Sequence, residues 1–456
     1  MPPVAAHDLA LVNGQVVLPG GRLEAISIGI RDGRITTLAA GMLDADETLD
    51  IAGLTVLPGL VDEHFHLSVN FGWATYTSAT QAAAKGGVTS IIDMPLDAPP
   101  TLTAALLRAK LDTIGSECCV DYALYGGYLK EDPDEMAAMA TAGAVAFKLF
   151  TVEVPVYPGV TAGEAFDAMQ RAKREDATVV VHCENGSIAE AETRRVQLEG
   201  RTDLAAWDEG RPWFCEVEAV QSIALLAAVT GCRTVIAHAT TPLTVECVRD
   251  MRRRAPNLWV ETCPQYLCIS KDEMADPRLK WGPPTRDRAA VDGLWQMLRE
   301  GHIHTIGSDY ALAPRVQTEN IWEQGTGVGN SVETMLAVVA TEALYERDVP
   351  ITRIADLLST TPAKLFGLYP RKGAITIGSD ADFAIVETNG RQILDARKLE
   401  YHEQEPWSPY DGRELRVYPV YTILRGRVIF GEGVLTAEPG RGEFLTRRST
   451  LPSNTH

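Results

Sequence analysis

The sequence predicts a (β/α)8 TIM barrel with a smaller β-sandwich domain built from both chain ends. The chain has 456 residues, more than one hydrophobic core usually accommodates, so a large domain with a smaller neighbour is expected. Short apolar runs alternate with helix-like segments through the middle of the chain, as in successive βα units. Strands joined by tight turns occupy both ends, which suggests that the two ends meet.

Residues 1–56 are predicted to form the first part of the β-sandwich. Asp8 to Val12 has strand character and is followed by the turn pair Asn13-Gly14 and a second apolar run. Asp32-Gly33, after the apolar run Ala25 to Ile30, gives a second hairpin signal, because such dipeptides suit two-residue hairpin turns.

Residues 57–370 are predicted to form the barrel. Apolar runs of strand length lie in this region between helix-like segments, of which Ser222 to Thr230 and Ala289 to Glu300 have the clearest periodicity. Eight strands and eight helices within about 300 residues satisfy a (β/α)8 barrel. The eight apolar runs are Leu60 to His66, Ser90 to Met94, Val120 to Tyr125, Val145 to Phe150, Val179 to Cys183, Thr234 to His238, Leu258 to Cys263 and His304 to Asp309.

Residues 371–445 return to strands and turns and are predicted to complete the β-sandwich. Asp382 to Val386 and Thr422 to Phe430 are examples of these strands. Residues 446–456 form a polar tail that is either loose or reaches a neighbouring subunit.

The composition narrows the classes of partner. With 42 Lys and Arg against 61 Asp and Glu residues the net charge is −19, which argues against nucleic acid and anionic membranes. There is no run of about 18 apolar residues to predict a membrane span. The first residues do not resemble a signal peptide, so the cytoplasm is expected. Eight cysteines without CxxC spacing are expected to be reduced thiols.

Histidines gather at the predicted carboxyl ends of the barrel strands, where the catalytic groups of this fold lie. The first strand ends in His64-x-His66, whose side chains would share one face of the strand and suit one metal ion. Such a pair taken alone is more often solvated or hydrogen-bonded than metal-bound. His182 and His238 end the fifth and sixth apolar runs and Asp309 ends the eighth, so the strand ends gather four histidines and an aspartate, which are residue types that bind zinc.

Lys148 lies between Phe147 and Leu149 in the fourth predicted strand. A buried ammonium without a partner is costly, so one interpretation is a salt bridge with a barrel carboxylate. The other is that the amine is deprotonated and carbamylated by carbon dioxide, which gives an anionic group able to bridge two metal ions.

Short motifs follow one another along nearly the whole chain. They are Pro58-Gly59-Leu60-Val61-Asp62 before His64-x-His66, Ala84-Lys85-Gly86-Gly87-Val88-Thr89 before Asp93-Met94-Pro95, Phe147-Lys148, Val181-His182-Cys183-Glu184, Glu261-Thr262-Cys263-Pro264, Pro283-Pro284-x-Arg286, Gly307-Ser308-Asp309, and Lys372-Gly373-x-Ile375-x-x-Gly378-x-Asp380-Ala381-Asp382. In this order the motifs resemble those of the cyclic amidohydrolases of the amidohydrolase superfamily, which include allantoinase, dihydropyrimidinase (hydantoinase) and dihydroorotase.

The resemblance implies two divalent metal ions and a hydrolytic reaction. Zinc is the expected metal, with manganese or cobalt as alternatives, and carbon dioxide is expected as the lysine carbamate. A hydroxide bridging the two ions would attack the ring carbonyl, and Asp309 would pass the proton to the leaving nitrogen as the catalytic residue. Carried over by position, His64, His66 and Asp309 bind the first ion, His182 and His238 bind the second, and carbamylated Lys148 bridges both.

The residues expected to contact the substrate separate this chain from its relatives. Dihydroorotases have an arginine where this chain has Ser68, which disfavours dihydroorotate. In hydantoinases a tyrosine near the position of Glu153 assists the oxyanion. This chain has no tyrosine there, so that function is absent unless Tyr157 supplies it. Gln265 and Tyr310 replace two histidines of the family. The candidate substrate-binding residues are Ser68, Phe71, Trp73, Tyr157, Gly282, Tyr310 and Asn330.

Some of these candidates have a second interpretation. Phe71 and Trp73 either contact the ring substituent or pack within their own loop. The glycine-rich run Gly325 to Asn330 either lines the pocket or forms turns. Asp93-Met94-Pro95-Leu96 and the run Trp407 to Arg413 resemble allantoinases more closely than hydantoinases.

The sequence therefore predicts a metal-dependent hydrolase that opens a cyclic amide or ureide ring, allantoinase-like. The alternative is a hydantoinase or dihydropyrimidinase, or another cyclic imide or lactam hydrolase. A rival of another class is a non-catalytic assembly protein related to dihydropyrimidinase, which the retention of all six ligands disfavours. The expected partners are a small cyclic amide substrate and further copies of the chain in a tetramer or dimer.

Overall fold

Strands from both chain ends flank a central series of strands and helices. The computed structural model describes residues 6–67, 72–273, 276–312, 318–400 and 406–448. The first strands are β1 (His7–Val12), β2 (Gln15–Leu18), β3 (Arg22–Ala25), β4 (Ser27–Arg31), β5 (Arg34–Ala39), β6 (Ala45–Asp50) and β7 (Thr55–Pro58). The central strands are β8 (Leu60–Phe65), β9 (Val88–Asp93), β10 (Asp121–Gly126), β11 (Ala146–Phe150), β12 (Thr178–His182), β13 (Arg233–Ile236), β14 (Leu258–Thr262) and β15 (Thr305–Ile306). The last strands are β16 (Phe383–Glu387), β17 (Gln392–Ile393), β18 (Glu414–Leu415), β19 (Tyr418–Leu424), β20 (Arg427–Gly431) and β21 (Val434–Leu435).

The helices follow the central strands, and several begin at a capping side chain. Thr161 accepts a hydrogen bond from the backbone N–H of Glu164, whose carboxylate accepts one from Thr161 in return, which satisfies two otherwise unpaired donors. The α-helices are α1 (Tyr76–Lys85), α2 (Ala104–Ile114), α3 (Glu135–Thr141), α4 (Ala162–Arg174), α5 (Gly186–Leu198), α6 (Leu204–Gly210), α7 (Trp213–Thr230), α8 (Pro242–Met251), α9 (Pro264–Cys268), α10 (Arg288–Arg299), α11 (Ser331–Tyr345), α12 (Ile351–Ala355) and α13 (Thr361–Leu365).

The eight central strands form the barrel predicted from the sequence. They are ordered β8 to β15 in one sheet, and each described pair of neighbours is parallel. The last strand returns to the first, because Phe65 and Tyr310 form a parallel bridge and the N–H of His66 donates to the carbonyl of Tyr310 at 2.9 Å. All carboxyl ends of the strands therefore lie on one rim.

Both chain ends contribute to the sandwich beside the barrel. One sheet has the order β5-β4-β1-β6, and the other has the order β21-β20-β19-β16-β7-β2-β3. Strand β16 from the second half of the chain pairs antiparallel with β7 from the first. Residues such as Leu11 and Ile30 of one sheet and Val56, Phe383 and Ile423 of the other share one buried apolar cluster, as in two sheets packed face to face.

The two predicted hairpin turns differ in the structure. Asp32 (φ 50°) and Gly33 (φ 73°) join the antiparallel strands β4 and β5, as expected for this turn type. Asn13-Gly14 also ends a strand, but β1 and β2 belong to different sheets, so the hairpin interpretation was wrong there. Only Asn13 takes a positive φ, of 67°, and the chain crosses from one sheet to the other.

One stretch, Leu204–Thr230, is apolar and long enough to cross a membrane by length and composition alone. The structure divides it into α6 and α7, which are separated by Arg211-Pro212. Ala219, Ile223 and Ala227 of α7 are buried, and the helix packs beside α4 and α8. Its apolar character is that of a helix covering a barrel strand.

A buried lysine joins the barrel to the sandwich at the amino ends of the strands. Lys372 is 1% exposed and donates to Asp121 at the start of β10 and to Asp382 before β16, the latter at 2.6 Å. Asp380 lies 3.0 Å from the same ammonium. Burial alone would lower the pKa of Lys372, but Asp382 and Asp121 outweigh it and hold that pKa above its usual value. The three aspartates, which have the spacing of a metal site, are thus paired with this lysine and with two arginines, Arg371 at Asp380 and Arg425 at Asp121.

Replacing Lys372 by methionine is expected to lower the free energy of unfolding by about 3–5 kcal/mol, because it leaves buried carboxylates without their cation. Urea denaturation measures the change. Lys173→Met on the exposed face of α4 is the matched control and should stay within about 0.5 kcal/mol of the parent protein. Equal unfolding midpoints for the two variants would contradict the assignment.

Candidate metal centre

The six predicted ligands lie at or near the carboxyl ends of the barrel strands. His64 belongs to the last two residues of β8, and His66 follows the strand; Lys148 lies in β11 and His182 ends β12. His238 and Asp309 lie two and three residues beyond β13 and β15. The register between β8 and β9 shifts by one residue between Asp62 and Phe65, and this bulge sits directly at His64.

The first group of ligands is His64, His66 and Asp309. Their ligand atoms all lie within 4.8 Å of one another. Asp309 Oδ1 is 3.4 Å from Nε2 of His64 and 3.4 Å from Nε2 of His66. Two imidazoles and a carboxylate at these distances can hold one divalent ion between them.

The second pair of histidines lies beside the first. The rings of His182 and His238 are 4.5 Å apart between centroids, and those of His64 and His238 are 5.4 Å apart. Phe150 stacks on His182 with a centroid distance of 4.8 Å and limits the positions open to that ring. The barrel thus brings all four predicted histidines into one cluster.

Lys148 supplies an amine to this cluster without a counter-charge. Its side chain is fully buried, and within the described residues its Nζ has no hydrogen-bond partner and no salt bridge. The interpretation as a salt bridge with a barrel carboxylate is therefore wrong for the part of the chain that the structure describes. Burial lowers the pKa of Lys148 to about 8, although Glu261 and Asp309 oppose the shift.

Two carboxylates outside the predicted ligand set orient the imidazoles. Glu261 Oε1 lies 2.7 Å from Nδ1 of His64, so Nε2 is left to face Asp309. Glu184 Oε2 lies 2.7 Å from Nε2 of His182, so Nδ1 is left for an ion. A carboxylate on the far nitrogen is the usual partner of a metal-binding histidine.

The charge state of Glu184 is set by an arginine. Burial would raise the pKa of Glu184, but Arg211 and His182 outweigh it and lower the pKa to about 2. Arg211 Nη1 donates to Glu184 Oε2 at 2.6 Å. The ionised carboxylate therefore accepts from Nε2 of His182. Glu184 and Glu261 were part of the sequence motifs, but only their contacts reveal their function.

The remaining features also suit metal binding. Burial lowers the pKa of His64, His182 and His238, so these imidazoles stay neutral and keep a lone pair. His238 and Asp309 have φ angles of 38° and 51°, a backbone conformation that non-glycine residues rarely adopt and that is concentrated at functional sites.

The predicted substrate-binding residues are not all directed at the cluster. The hydroxyl of Tyr157 donates to the backbone carbonyl of Lys148 at 2.9 Å. Tyr310 stacks on Phe65 at 4.5 Å and packs in the apolar cluster around the barrel. Asn330 caps α11, and its amide donates to Glu333 and to the carbonyl of Glu400, both at 2.7 Å.

Two other predicted contacts lie in open or partly open positions. Gly282 precedes a cis bond to Pro283, and among the described residues a Cβ added at this glycine would meet only the Thr326 methyl group, at 3.7 Å. Trp73 is half-buried against the apolar cluster around the barrel. Ser68 and Phe71 lie outside the described residues, and a substrate contact for any of these residues stays a prediction.

The residues present fit a metal centre. Imidazole and carboxylate groups lie around a buried amine that lacks a hydrogen-bond or salt-bridge partner among the described residues. Borderline divalent ions prefer such ligands. A neutral lysine amine can add carbon dioxide and become a further carboxylate-like ligand.

The comparisons with known proteins agree with this geometry. The model of the Amidohydrolase family matches residues 55–428. An L-hydantoinase of Paenarthrobacter aurescens is 34% identical over 97% of this chain and 98% of its own length. An allantoinase of Escherichia coli O139:H28 is 33% identical over 97% of this chain and 99% of its own length.

Solved structures give the same result for the fold. The L-hydantoinase (dihydropyrimidinase) from Arthrobacter aurescens superposes with a TM-score of 0.92 at 33% identity, covering 97% of this chain and all of the other. A D-hydantoinase superposes with a TM-score of 0.89 at 28% identity, and the match covers 97% of this chain and 99% of the other. The chain therefore belongs to the amidohydrolase family, whose members are metal-dependent enzymes, and the buried cluster of four histidines, a lysine and an aspartate is its candidate metal centre.

Proposed function

We propose that this protein hydrolyses one carbon–nitrogen bond of a hydantoin-type cyclic ureide, with allantoin as the first candidate substrate. The observation that carries the proposal is the buried amine of Lys148, which has no hydrogen-bond or salt-bridge partner among the described residues and lies in a site with four imidazoles. An unpaired buried ammonium costs several kcal/mol. A carbamate between two divalent ions removes that cost, so the arrangement is suited to a dinuclear centre.

The chain offers separate ligands for each ion. His64, His66 and Asp309 would hold one ion, and His182 and His238 would hold the other, with carbamylated Lys148 between them. Imidazole and carboxylate ligands favour zinc, with manganese or cobalt as alternatives. Such ions would activate a water molecule near neutral pH and polarise the ring carbonyl.

Asp309 would transfer the proton during the reaction. Asp309 is 8% exposed, and its Oδ1 lies between the two histidines of the HxH pair. In hydrolysis a C–O bond forms, the C–N bond of the ring breaks, and the leaving nitrogen gains a proton. Asp309 is placed to take that proton from the attacking water and to deliver it to the nitrogen.

A hydantoin ring is common to both candidate substrate classes. Allantoin is a hydantoin that carries a ureido group, so an allantoinase and a hydantoinase open the same ring with different substituents. The motifs around Asp93 and Trp407 favour allantoin, whereas the 34% identity to an L-hydantoinase favours other substituted hydantoins. A non-catalytic assembly protein is disfavoured because all six ligand side chains are brought together.

A substrate panel tests the proposal directly. Zinc-loaded protein should open the ring of allantoin or a 5-substituted hydantoin with a kcat/KM at least about 100-fold above that for succinimide or a simple lactam, because a pocket built around the ring polar groups rejects rings that lack some of them. The preference over dihydrouracil should be smaller, about 10-fold, because that ring has the same polar groups and differs by one methylene. Product formation is followed by chromatography. Turnover of none of these compounds by protein shown to hold metal would contradict the proposed function.

Lys148→Ala is expected to lose the bridging ligand. Activity should fall more than about 100-fold, because loss of a direct ligand exceeds the usual effect of an outer partner, and fewer than two metal ions should remain. Acetate or propionate should restore part of the activity by entering the vacated space. Lys173→Ala on the exposed face of α4 is the control. Two bound ions and full activity in Lys148→Ala would exclude the bridging role.

The depressed pKa of Lys148 predicts the pH dependence of carbamate formation. Only the neutral amine adds carbon dioxide, and burial lowers the pKa of this amine to about 8. Metal-free protein is brought to each pH at constant dissolved carbon dioxide, and zinc is then added. The amount of carbamate that forms should rise with pH and level off above about pH 8. For an ordinary lysine the amount of carbamate would keep rising up to its pKa of about 10.4. Carbon-13 NMR with labelled carbon dioxide measures the signal, and a steady rise beyond about pH 9.5 would refute the prediction.

The assembly and location of the protein stay predictions. A tetramer or dimer is supported by α7, which exposes Phe214, Leu225 and Val229 at 44%, 55% and 64%, since neighbouring exposed apolar residues often mark contacts between subunits. The cytoplasm remains the expected compartment.

A further inference from the structure

Arg286 connects three segments that surround the second pair of histidines. It is 6% exposed, and its Nη1 donates to Asp208 Oδ1 in α6 at 2.6 Å and to the carbonyl of Arg211 at 2.8 Å. Its Nε donates to Thr240 Oγ1 at 3.1 Å. Arg286 belongs to the Pro283-Pro284-x-Arg286 motif, which has no function in the proposed reaction.

One set of these hydrogen bonds links Arg286 to the loop of His238. Thr240 lies two residues after His238 and donates from its backbone N–H to Glu216 Oε1 at 3.0 Å and from its hydroxyl to Glu216 Oε2. Thr244 donates to Glu216 Oε1 at 2.6 Å. His238 has a φ of 38°, and such a conformation persists only where neighbouring contacts hold it. Arg286 and Glu216 hold Thr240 from two sides and so fix the loop of His238.

A second set of hydrogen bonds links Arg286 to His182. Arg286 binds the carbonyl of Arg211, and the guanidinium of Arg211 donates to Glu184, which engages Nε2 of His182. Arg211 is also held over the ring of Trp207 at 4.6 Å. The position of Arg286 thus sets the position of Arg211, and Arg211 sets the charge and orientation of the partner of His182.

We propose that Arg286 is the positioning residue of the second metal subsite, holding His182 and His238 at their mutual distance through Arg211–Glu184 and through Thr240–Glu216. This inference rests on the dinuclear centre proposed above. None of these contacts reaches His64, His66 or Asp309, which are oriented by Glu261 and by one another. Loss of Arg286 should therefore weaken one ion and spare the other.

An arginine is required by the geometry of the three acceptors. The acceptors are a carboxylate and a carbonyl at the end of α6 and a hydroxyl in the loop of His238. A planar guanidinium can donate to all of them from fixed directions, whereas a lysine ammonium at the end of a flexible stem cannot. Retaining the charge with Arg286→Lys should therefore restore only part of the second subsite.

The test is zinc titration of metal-free protein, with bound zinc counted after gel filtration. The parent protein should bind two zinc ions per chain. Arg286→Met should keep the first ion and bind the second about 10- to 100-fold more weakly. Thr240→Val removes the hydroxyl between Arg286 and Glu216 without changing size or charge, and should weaken the second ion by about 10-fold even if Arg286→Met does not fold. Thr240→Ser restores the hydroxyl and should bind like the parent protein.

Arg353→Met is the matched control. Arg353 also donates to a carboxylate, Asp356, at 2.5 Å and to a carbonyl, that of Ile303, at 2.6 Å, but at the amino end of β15. It should leave both ions bound. Two ions of unchanged affinity in Arg286→Met or Thr240→Val would overturn the proposal, and so would loss of both ions together. A parent protein that binds fewer than two zinc ions would instead overturn the dinuclear centre, and the role of Arg286 with it.

Discussion

The site depends on one constraint, the burial of the Lys148 amine without a counter-charge. Strand β11 carries Lys148 into the barrel beside the four histidines, and within the described residues no carboxylate pairs with it. The nearby acids are turned to other partners: Glu261 to His64 and Glu184 to His182 and Arg211. An amine held in this way is easier to deprotonate, which is why burial lowers its pKa to about 8.

In the proposed dinuclear centre, the same constraint would couple carbon dioxide to the metal ions. Conversion of an ammonium to a carbamate changes the charge of Lys148 from +1 to −1 inside the barrel, beside Asp309 and Glu261. Burial already raises the pKa of Glu261 to about 7, so another anion would be unfavourable there by itself. Two divalent ions supply the opposite charge, so carbamate formation and metal binding should stabilise each other.

Much of the barrel could be predicted from the sequence, because its strands are apolar runs and its ligands end those runs. Each of the eight predicted runs contains a strand, and His64, His182 and His238 come together as the strand order requires. The failures are local and have one cause: sequence gives the residue type but not its partner. Asn13-Gly14 leads into another sheet and not into a hairpin, and Lys148, for which a salt bridge was one interpretation, has no carboxylate partner among the described residues. Glu184 and Arg286 were visible only as motif residues, because their function lies in contacts between distant segments.

Two buried lysines at opposite ends of the barrel show how the environment decides function. Lys372 is surrounded by three aspartates, which outweigh burial and raise its pKa, and it joins two parts of the fold. Lys148 is just as buried but has no carboxylate partner among the described residues, and its pKa is lowered. A protein selected for stability alone would pair both lysines or replace Lys148 by an apolar residue, since an unpaired buried charge costs several kcal/mol. The retained amine is therefore best explained by the proposed chemistry of the site, in which the amine would add carbon dioxide and the metal ions would balance the negative charge of the carbamate.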